Sequence, residues 1–338
     1  MKVFQIEKDW GMENLRVSTR PDPKPGPGQV LLRMQASSLN YRDLLVPARG
    51  YGSFTGELPL IPLSDGVGEV VELGAGVTRV KVGQRACPMF NQHWISGEPS
   101  FGRIATGTLG GPIDGTMAEF MCLSQEGVVA VPDSLSDVEA ATLPCAALTA
   151  WSALVTYDRL GPGSRVLVQG TGGVALFALQ FARIIGAHVT VISSSDEKIA
   201  RARTLGADAA INYLKVPEWY KATREITGGE GYDHIVELGG EKTLQQSLRC
   251  VRPGGTLSMI GVLSGGSMNA PLGLVVTRQV RLQGITVGHR DGMEAMVRAI
   301  EQHKLKPVID KVFRFEELKE AMAHLKSGAH FGKVCIEH

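Results

Sequence analysis

The stretch that most constrains this chain is residues 166–195, VLVQGTGGVALFALQFARIIGAHVTVISSS. A short apolar run at 166–169 leads at once into Gly170-Thr171-Gly172-Gly173-Val174-Ala175, then into about three turns of largely apolar residues, and a second β-branched run follows at 189–192. Strand, glycine turn, helix and strand in so short a span make a βαβ unit. Gly170 permits the tight turn, Gly172 lets the backbone approach a pyrophosphate, and Ala175 keeps the helix close to its strand. The helix N-terminus offers the anion N–H groups that have no intrahelical partner. The stretch therefore predicts a dinucleotide site on Gly170, Thr171, Gly172, Gly173 and Val174.

The tip of the second strand points to NADPH. A fold that prefers NAD usually places Asp or Glu about twenty residues beyond the glycines, to hold the ribose 2′-OH. Here Ser193, Ser194 and Ser195 occupy the tip, with Lys198 one helical turn further on. Hydroxyls can donate to a 2′-phosphate and an ammonium can pair with it, whereas a carboxylate would repel it. Asp196 falls where the next helix should begin, as a first-turn partner of the helix dipole.

A length of 338 residues suggests two domains. With 35 basic against 34 acidic residues, the chain carries no electrostatic footprint for nucleic acid or a membrane surface. MKVFQIEKDW lacks a basic-then-apolar signal pattern and no apolar run approaches a span, so a cytoplasmic protein is expected. Five cysteines, without a CxxC pair and odd in number, suit reduced thiols.

Short β-rich runs at 3–6, 29–36, 66–73 and 117–123, separated by turns such as 21–28 and 73–76, predict a β-barrel in the first third. Residues 90–112 read as a long loop over the active site. Ser136-Asp137-Val138-Glu139 is a capping box, opening a helical stretch that carries Cys145 and Thr149 towards the dinucleotide unit. Further strands are expected at 209–211, 234–237, 256–262 and 282–288, with helices near 217–226 and 244–250 between them. Six strands complete a doubly wound parallel sheet. The tail, with helices at 292–303 and 315–326 and strands at 308–313 and 334–336, should return to the first domain. The expected domains are 1–145 with 289–338, and 146–288.

This order of domains resembles the medium-chain dehydrogenase/reductase superfamily along the whole chain. Asn40-Tyr41-Arg42-Asp43, residues 64–70 (SDGVGEV), residues 115–120 (GTMAEF), Leu205-Gly206-Ala207-Asp208, Asn212-Tyr213 and Gly332-Lys333-Val334 carry the resemblance. The chain looks most similar to the zinc-free quinone oxidoreductase, zeta-crystallin-like branch. That resemblance implies an α/β fold, a GroES-like β-barrel catalytic domain beside a Rossmann six-stranded sheet, and a homodimer formed through the edge strands of that sheet.

The superfamily's alcohol dehydrogenases hold a catalytic zinc with a Cys, a His-Glu pair and a second Cys or Asp. At the matching positions stand Asn40, Ser64-Asp65 and Cys145, and the four-cysteine structural lobe is missing. A catalytic zinc normally has three protein ligands, so none is expected. Cys87, His93 and Cys122 fit no ligand spacing.

Without zinc nothing acidifies a simple alcohol, which makes polarised double bonds the better substrates: a quinone, an enone or enal, or an enoyl thioester. The resemblance puts Asn40 close to the nicotinamide, as an amide donor to the developing enolate oxygen. Tyr41 and Thr149 would position carboxamide or substrate, and Tyr51, in Gly50-Tyr51-Gly52, matches the proposed proton donor of enoyl thioester reductases. Gly239, Gly261 with Val262, and Gly288 lie at expected strand ends and would line the nicotinamide channel. Tyr213 would meet the 2′-phosphate side and Lys333 the pyrophosphate. The alternatives are a zinc-free carbonyl or alcohol oxidoreductase and a non-enzymatic NADPH-binding protein.

Overall fold

Antiparallel pairing of short apolar runs builds the first of two units, residues 1–148 with 287–338, in a computed structural model that describes residues 1–50, 55–158 and 160–338. Its strands up to residue 148 are β1 (Lys2–Ile6), β2 (Leu15–Thr19), β3 (Gln29–Ser38), β4 (Asp65–Leu73), β5 (Arg85–Pro88), β6 (Phe120–Ser124) and β7 (Val128–Ala130). The second unit, residues 149–286, holds β8 (Arg165–Gln169), β9 (His188–Ser193), β10 (Ala209–Asn212), β11 (Tyr232–Glu237), β12 (Val251–Met259) and β13 (Arg281–Gly284). Two last strands, β14 (Ile309–Arg314) and β15 (Lys333–Glu337), return to the first unit's sheet, whose order is β14-β15-β3-β4-β5-β7 with β6 also on β3.

The register at one end of that sheet positions the site. β15 and β4 flank β3, so Cys335 faces Ser38 on one side and Asp65 faces Ser38 on the other. The pairing runs one residue past β3, where Leu39 N–H donates to Val334 O at 2.9 Å. Lys333, Asn40 and Asp65 are thereby brought together from three strand ends. Two apolar clusters support the unit, one around Leu39, Leu63 and Val334 and one around Leu32, Val70 and Ala86.

In the second unit the order is β10-β9-β8-β11-β12-β13, all parallel, so the chain reverses direction of growth between β8 and β11. That switch point is where open α/β sheets bind ligands. The helix Gly173–Ile185 buries Ala175, Leu176, Ala178, Leu179 and Ala182. Ala175 is fully buried there.

Several elements differ from expectation. β12 ends at Met259 and β13 at Gly284, so Gly261, Val262 and Gly288 lie beyond the strands rather than at their last residues. The reason is local: the 260–262 stretch leaves the ladder when Ile260 and Gly261 N–H both turn to Glu237 O. β2, β5 and β7 lie outside the expected runs: β5 and β7 span four and three residues with almost every side chain buried, so no alternation shows, and of the five residues of β2 Leu15 alone is fully buried. Within 90–112, a helical turn at Phe101–Ile104 and a bridge between Asn91 and Thr108 replace irregular loop, and buried Trp94 anchors it through Nε1–H to Gly97 O at 2.9 Å. Helical residues Asp137–Thr156 are long and apolar enough to cross a membrane, which corrects the expectation that no apolar run approaches that length. That segment is 72% buried within the molecule, as a core helix is.

Candidate active site

Lys333 is the centre of a buried polar cluster in the first unit. Its side chain is 3% exposed, and its ammonium donates to Leu39 O at 2.6 Å and to Asn40 Oδ1 at 2.7 Å. Asp65 Oδ2, fully buried, lies 3.7 Å away. The carboxylate is held from its other sides by Ser64 Oγ–H at 3.2 Å and Cys145 N–H at 3.3 Å, while Ser38 Oγ, 3.4 Å away, gives its single proton over the shorter distance to Ala141 O at 3.0 Å. Cys145 can give that N–H because it lies in a π-helical turn near the start of the capped helix, and both bonds of the Ser136–Glu139 capping box are present. Burial raises the Asp65 carboxyl above its ordinary range, and Lys333, Asn40, Ser64 and Cys145 pull it back.

The Asn40-Tyr41-Arg42-Asp43 motif shapes the cluster's rim. Asn40 N–H donates to Asp43 Oδ2 at 2.7 Å, closing a turn that sets the amide's direction. Arg42 is buried and donates to Leu109 O at 2.8 Å and Gly111 O at 3.0 Å, its guanidinium 5.0 Å over the Phe90 ring. Tyr41 is 46% exposed. Asn40 Nδ2 is buried without a hydrogen-bond partner among the described residues, although the amide lies close enough to Asp65 to help hold its carboxyl down. An unmet buried donor costs about 1–3 kcal/mol, and a ligand oxygen would relieve it. Tyr51 lies outside the described residues.

These residues do not fit a catalytic zinc. Among the described residues, no three His, Cys, Asp or Glu side chains converge as ligands. Asn40 and Ser64 are neutral and weak donors to a metal. Burial, and next the Asp65 charge, hold the Cys145 thiol well above its ordinary value and so protonated. The Lys333 ammonium already brings positive charge to the Asp65 carboxylate. Cys87 donates to Ala140 O at 3.2 Å, and the five cysteines are separate thiols.

In the second unit the glycine turn fits a dinucleotide. Gly170 has φ of 79°, with open space where a Cβ would stand. Gly172 caps the Gly173–Ile185 helix without a side chain, which leaves first-turn N–H groups to an anion. Thr171 and Val174 flank this turn. At the tip of β9, Ser194 is exposed, while Ser195 Oγ accepts Lys198 N–H at 3.3 Å and so caps the next helix, Asp196–Thr204. Asp196 is engaged by Lys215 and by Asn212 Nδ2–H, which lower its pKa. Tyr213, 38% exposed, stands beside this tip through its N–H to Ser193 O at 3.0 Å. Thr149 is buried at the unit's first residue.

Sequence reasoning missed a second carboxylate. Glu237, fully buried at the end of β11, accepts from Gln169 Nε2–H at 2.7 Å, Thr243 O–H at 2.5 Å and Ser247 O–H. Its other donors are the N–H groups of Gly239 at 3.1 Å and Gly240 at 3.0 Å. The network fixes the loop after β11, against which Gly261 packs so closely that a Cβ would stand 2.0 Å from Leu238 O. The available signal was polar Gln169 and Glu237 directly after the apolar runs 166–168 and 235–236.

Residues 26–133 match the alcohol dehydrogenase GroES-like domain and residues 173–302 the zinc-binding dehydrogenase family. A zinc-type alcohol dehydrogenase-like protein of Schizosaccharomyces pombe is 43% identical over 321 residues, 93% of this chain and 92% of that protein. The chain belongs to the medium-chain dehydrogenase/reductase superfamily. The crystal structure of a candidate alcohol dehydrogenase from Sinorhizobium meliloti superposes with a TM-score of 0.94 at 44% identity, over 100% of this chain and 98% of that one. A 2-octenoyl-CoA carboxylase reductase, in complex with NADP and 2-octenoyl-CoA, superposes at 0.86 and 25% identity, over 96% and 82%. This medium-chain dehydrogenase/reductase is an oxidoreductase with a GroES-like domain and a nicotinamide-dinucleotide-binding parallel sheet. The similarities establish the superfamily; they do not single out its quinone reductase branch.

Proposed function

We propose that this protein is an NADPH-dependent, zinc-independent reductase that adds hydride to an activated double bond in a quinone, an enone or enal, or an enoyl thioester. The observation that carries this reading is the Lys333–Asp65–Asn40 cluster. Where zinc-dependent relatives need metal ligands, an ammonium lies beside the carboxylate and an amide N–H2 is left unmet. The first unit is read as catalytic and the second as the NADPH-binding unit. The bound dinucleotide supplies hydride. The chain supplies a donor for the substrate oxygen that gains charge, and Asn40 Nδ2 is that donor. Tyr41 and Thr149 orient carboxamide or substrate, and Tyr51 returns the proton.

Gly170, Thr171, Gly172, Gly173 and Val174 would hold the pyrophosphate; Gly239, Gly261, Val262 and Gly288 would line the nicotinamide side. Engagement of Asp196 by Lys215 and Asn212 offsets the carboxylate charge near the tip, which supports NADPH, with Ser194, Ser195, Lys198 and Tyr213 read as the 2′-phosphate side. Edge strand β13, with Leu272 and Val276 exposed on the helix before it, supports a homodimer, which light scattering would test. The alcohol dehydrogenase names of the relatives favour a second reading, a zinc-free carbonyl or alcohol oxidoreductase using the same amide donor.

The deciding experiment follows nicotinamide absorbance with a quinone, an alkenal, an enoyl thioester and a simple aldehyde, alongside elemental analysis. Reduction of the first three without zinc, and insensitive to chelators, is expected. Aldehyde reduction alone selects the second reading, and silence with NADPH still bound makes this a binding protein. Stoichiometric zinc whose removal abolishes activity overturns both zinc-free readings.

A further inference from the structure

We infer that Lys333 is the positioning residue for Asn40: in place of a metal cation, its ammonium holds the amide oxygen and so makes the amide N–H2 the group presented to the substrate. The inference rests on the reading of Asn40 as the oxygen donor. An ammonium has three N–H groups and no acceptor, so it selects the oxygen end of a neighbouring amide. Three oxygens surround it: Leu39 O at 2.6 Å, Asn40 Oδ1 at 2.7 Å and Asp65 Oδ2 at 3.7 Å. With its oxygen so held, the amide turns Nδ2 away from Lys333: one N–H lies towards the Asp65 carboxyl, which the amide helps hold down, and the other, without a hydrogen-bond partner among the described residues, is the one left for a substrate oxygen.

The hold is rigid because the ammonium itself cannot move. Lys333 and Asn40 come from adjacent strands in fixed register, and Asp65 is tied by Ser64 and the Cys145 N–H. Since its N–H groups face these three oxygens, Lys333 is neither the proton donor nor the pyrophosphate contact that the sequence resemblance implied.

The test uses Lys333→Met combined with Asp65→Asn, so that no carboxylate is left buried alone, and Lys333→Arg as a second variant that keeps the charge. The first readout is independent of turnover: the side-chain amide resonances of Asn40, assigned by their loss in Asn40→Ala. They are expected to shift and broaden in the double variant and to shift less in Lys333→Arg. In turnover, the double variant should lose about 30-fold or more in kcat while NADPH Kd changes less than about threefold. Asn40→Ala should cost about a hundredfold in the wild type and less than about threefold in the double variant, because the two residues act as one unit. Unchanged amide resonances would overturn the inference. So would a tenfold or greater rise in NADPH Kd with kcat intact, which would restore the pyrophosphate contact. If the wild type reduces no acceptor, the proposed function fails, while the resonances still decide what Lys333 does to Asn40.

Discussion

Each unit buries one carboxylate completely at a strand end, and the two are stabilised in opposite ways. Asp65, opening β4, has a cation at 3.7 Å beside the neutral donors Ser64 O–H and Cys145 N–H; Glu237, closing β11, is satisfied by neutral donors, two of them backbone N–H groups. A neutral shell fixes a loop and little else. A charged partner also links the carboxylate to whatever else that partner holds, here the Asn40 amide. The Asp65 cluster can therefore serve chemistry, whereas the Glu237 network serves shape.

The strongest way to break this comparison is to remove the cation. Lys333→Met leaves Asp65 buried with neutral donors only, and a broken buried pair costs about 3–5 kcal/mol. Denaturant unfolding should show that loss, and adding Asp65→Asn should recover most of it. A single variant as stable as the wild type would mean that neutral donors suffice for Asp65 too, and the contrast would vanish.

A third buried carboxylate sharpens the point through pH. Asp43 is pushed up to about 6, chiefly by burial, against an ordinary value of 3.8; Arg42 and the Asn40 N–H oppose the rise, Asp65 adds to it and Lys333 lowers it. Because the folded state holds this proton more tightly than the unfolded chain, stability is highest below about pH 4 on this account. It falls as pH rises towards about 6, by roughly 3 kcal/mol in all. Asp43→Asn keeps an oxygen for the Asn40 N–H and removes the charge. Its unfolding free energy should exceed that of the wild type at neutral pH, and the two should converge near pH 4. Parallel curves across that range would show that Asp43 is not held protonated by burial.

What could be read from the sequence follows from how each site is assembled. Gly170 to Val174 are consecutive, so turn, helix start and ligand class are written in one string, and the six-stranded sheet follows from alternation along the chain. The Asp65 cluster draws on residues 39, 40, 65, 145 and 333, which only the β15-β3-β4 register brings together. Its members could be named one by one, but not the contact of Lys333 with Asn40. Gln169 and Glu237 were passed over because each ends a run read for its apolar pattern. The helix Asp196–Thr204 was legible only at its start, where Asp196 marks a first turn, since it buries Ala202 alone and so shows no apolar face to follow.

A carboxylate placed at an exposed strand tip should act on the ligand and leave the fold alone. Ser194 is exposed and adjoins Tyr213's strand end. Ser194→Asp should reverse the proposed preference for NADPH over NADH through a change of roughly 1.5–3 kcal/mol in relative binding, the worth of a charged hydrogen bond. Competitive titration of both cofactors measures it, with unfolding free energy expected within about 0.5 kcal/mol of the wild type. An unchanged cofactor ratio would remove this tip from the nucleotide site.

The smallest effect is expected at Glu237. Glu237→Gln keeps the shape and the acceptor oxygen that serves Gly239, Gly240 and Thr243, and puts an N–H2 group where Oε2 met Gln169 and Ser247. Ser247 can reverse its hydroxyl and accept. Gln169 cannot follow, because its own oxygen is committed to the N–H groups of Leu238 at 3.1 Å and Gly239 at 3.0 Å. One donor is left facing another, at about 1–3 kcal/mol. Unfolding should register that cost, and NADPH affinity should fall less than tenfold, since the loop after β11 is loosened while the glycine turn at Gly170 is untouched. A loss equal to that of Lys333→Met would show that a neutral shell binds its carboxylate as tightly as a cation does, and that the two buried acids are alike.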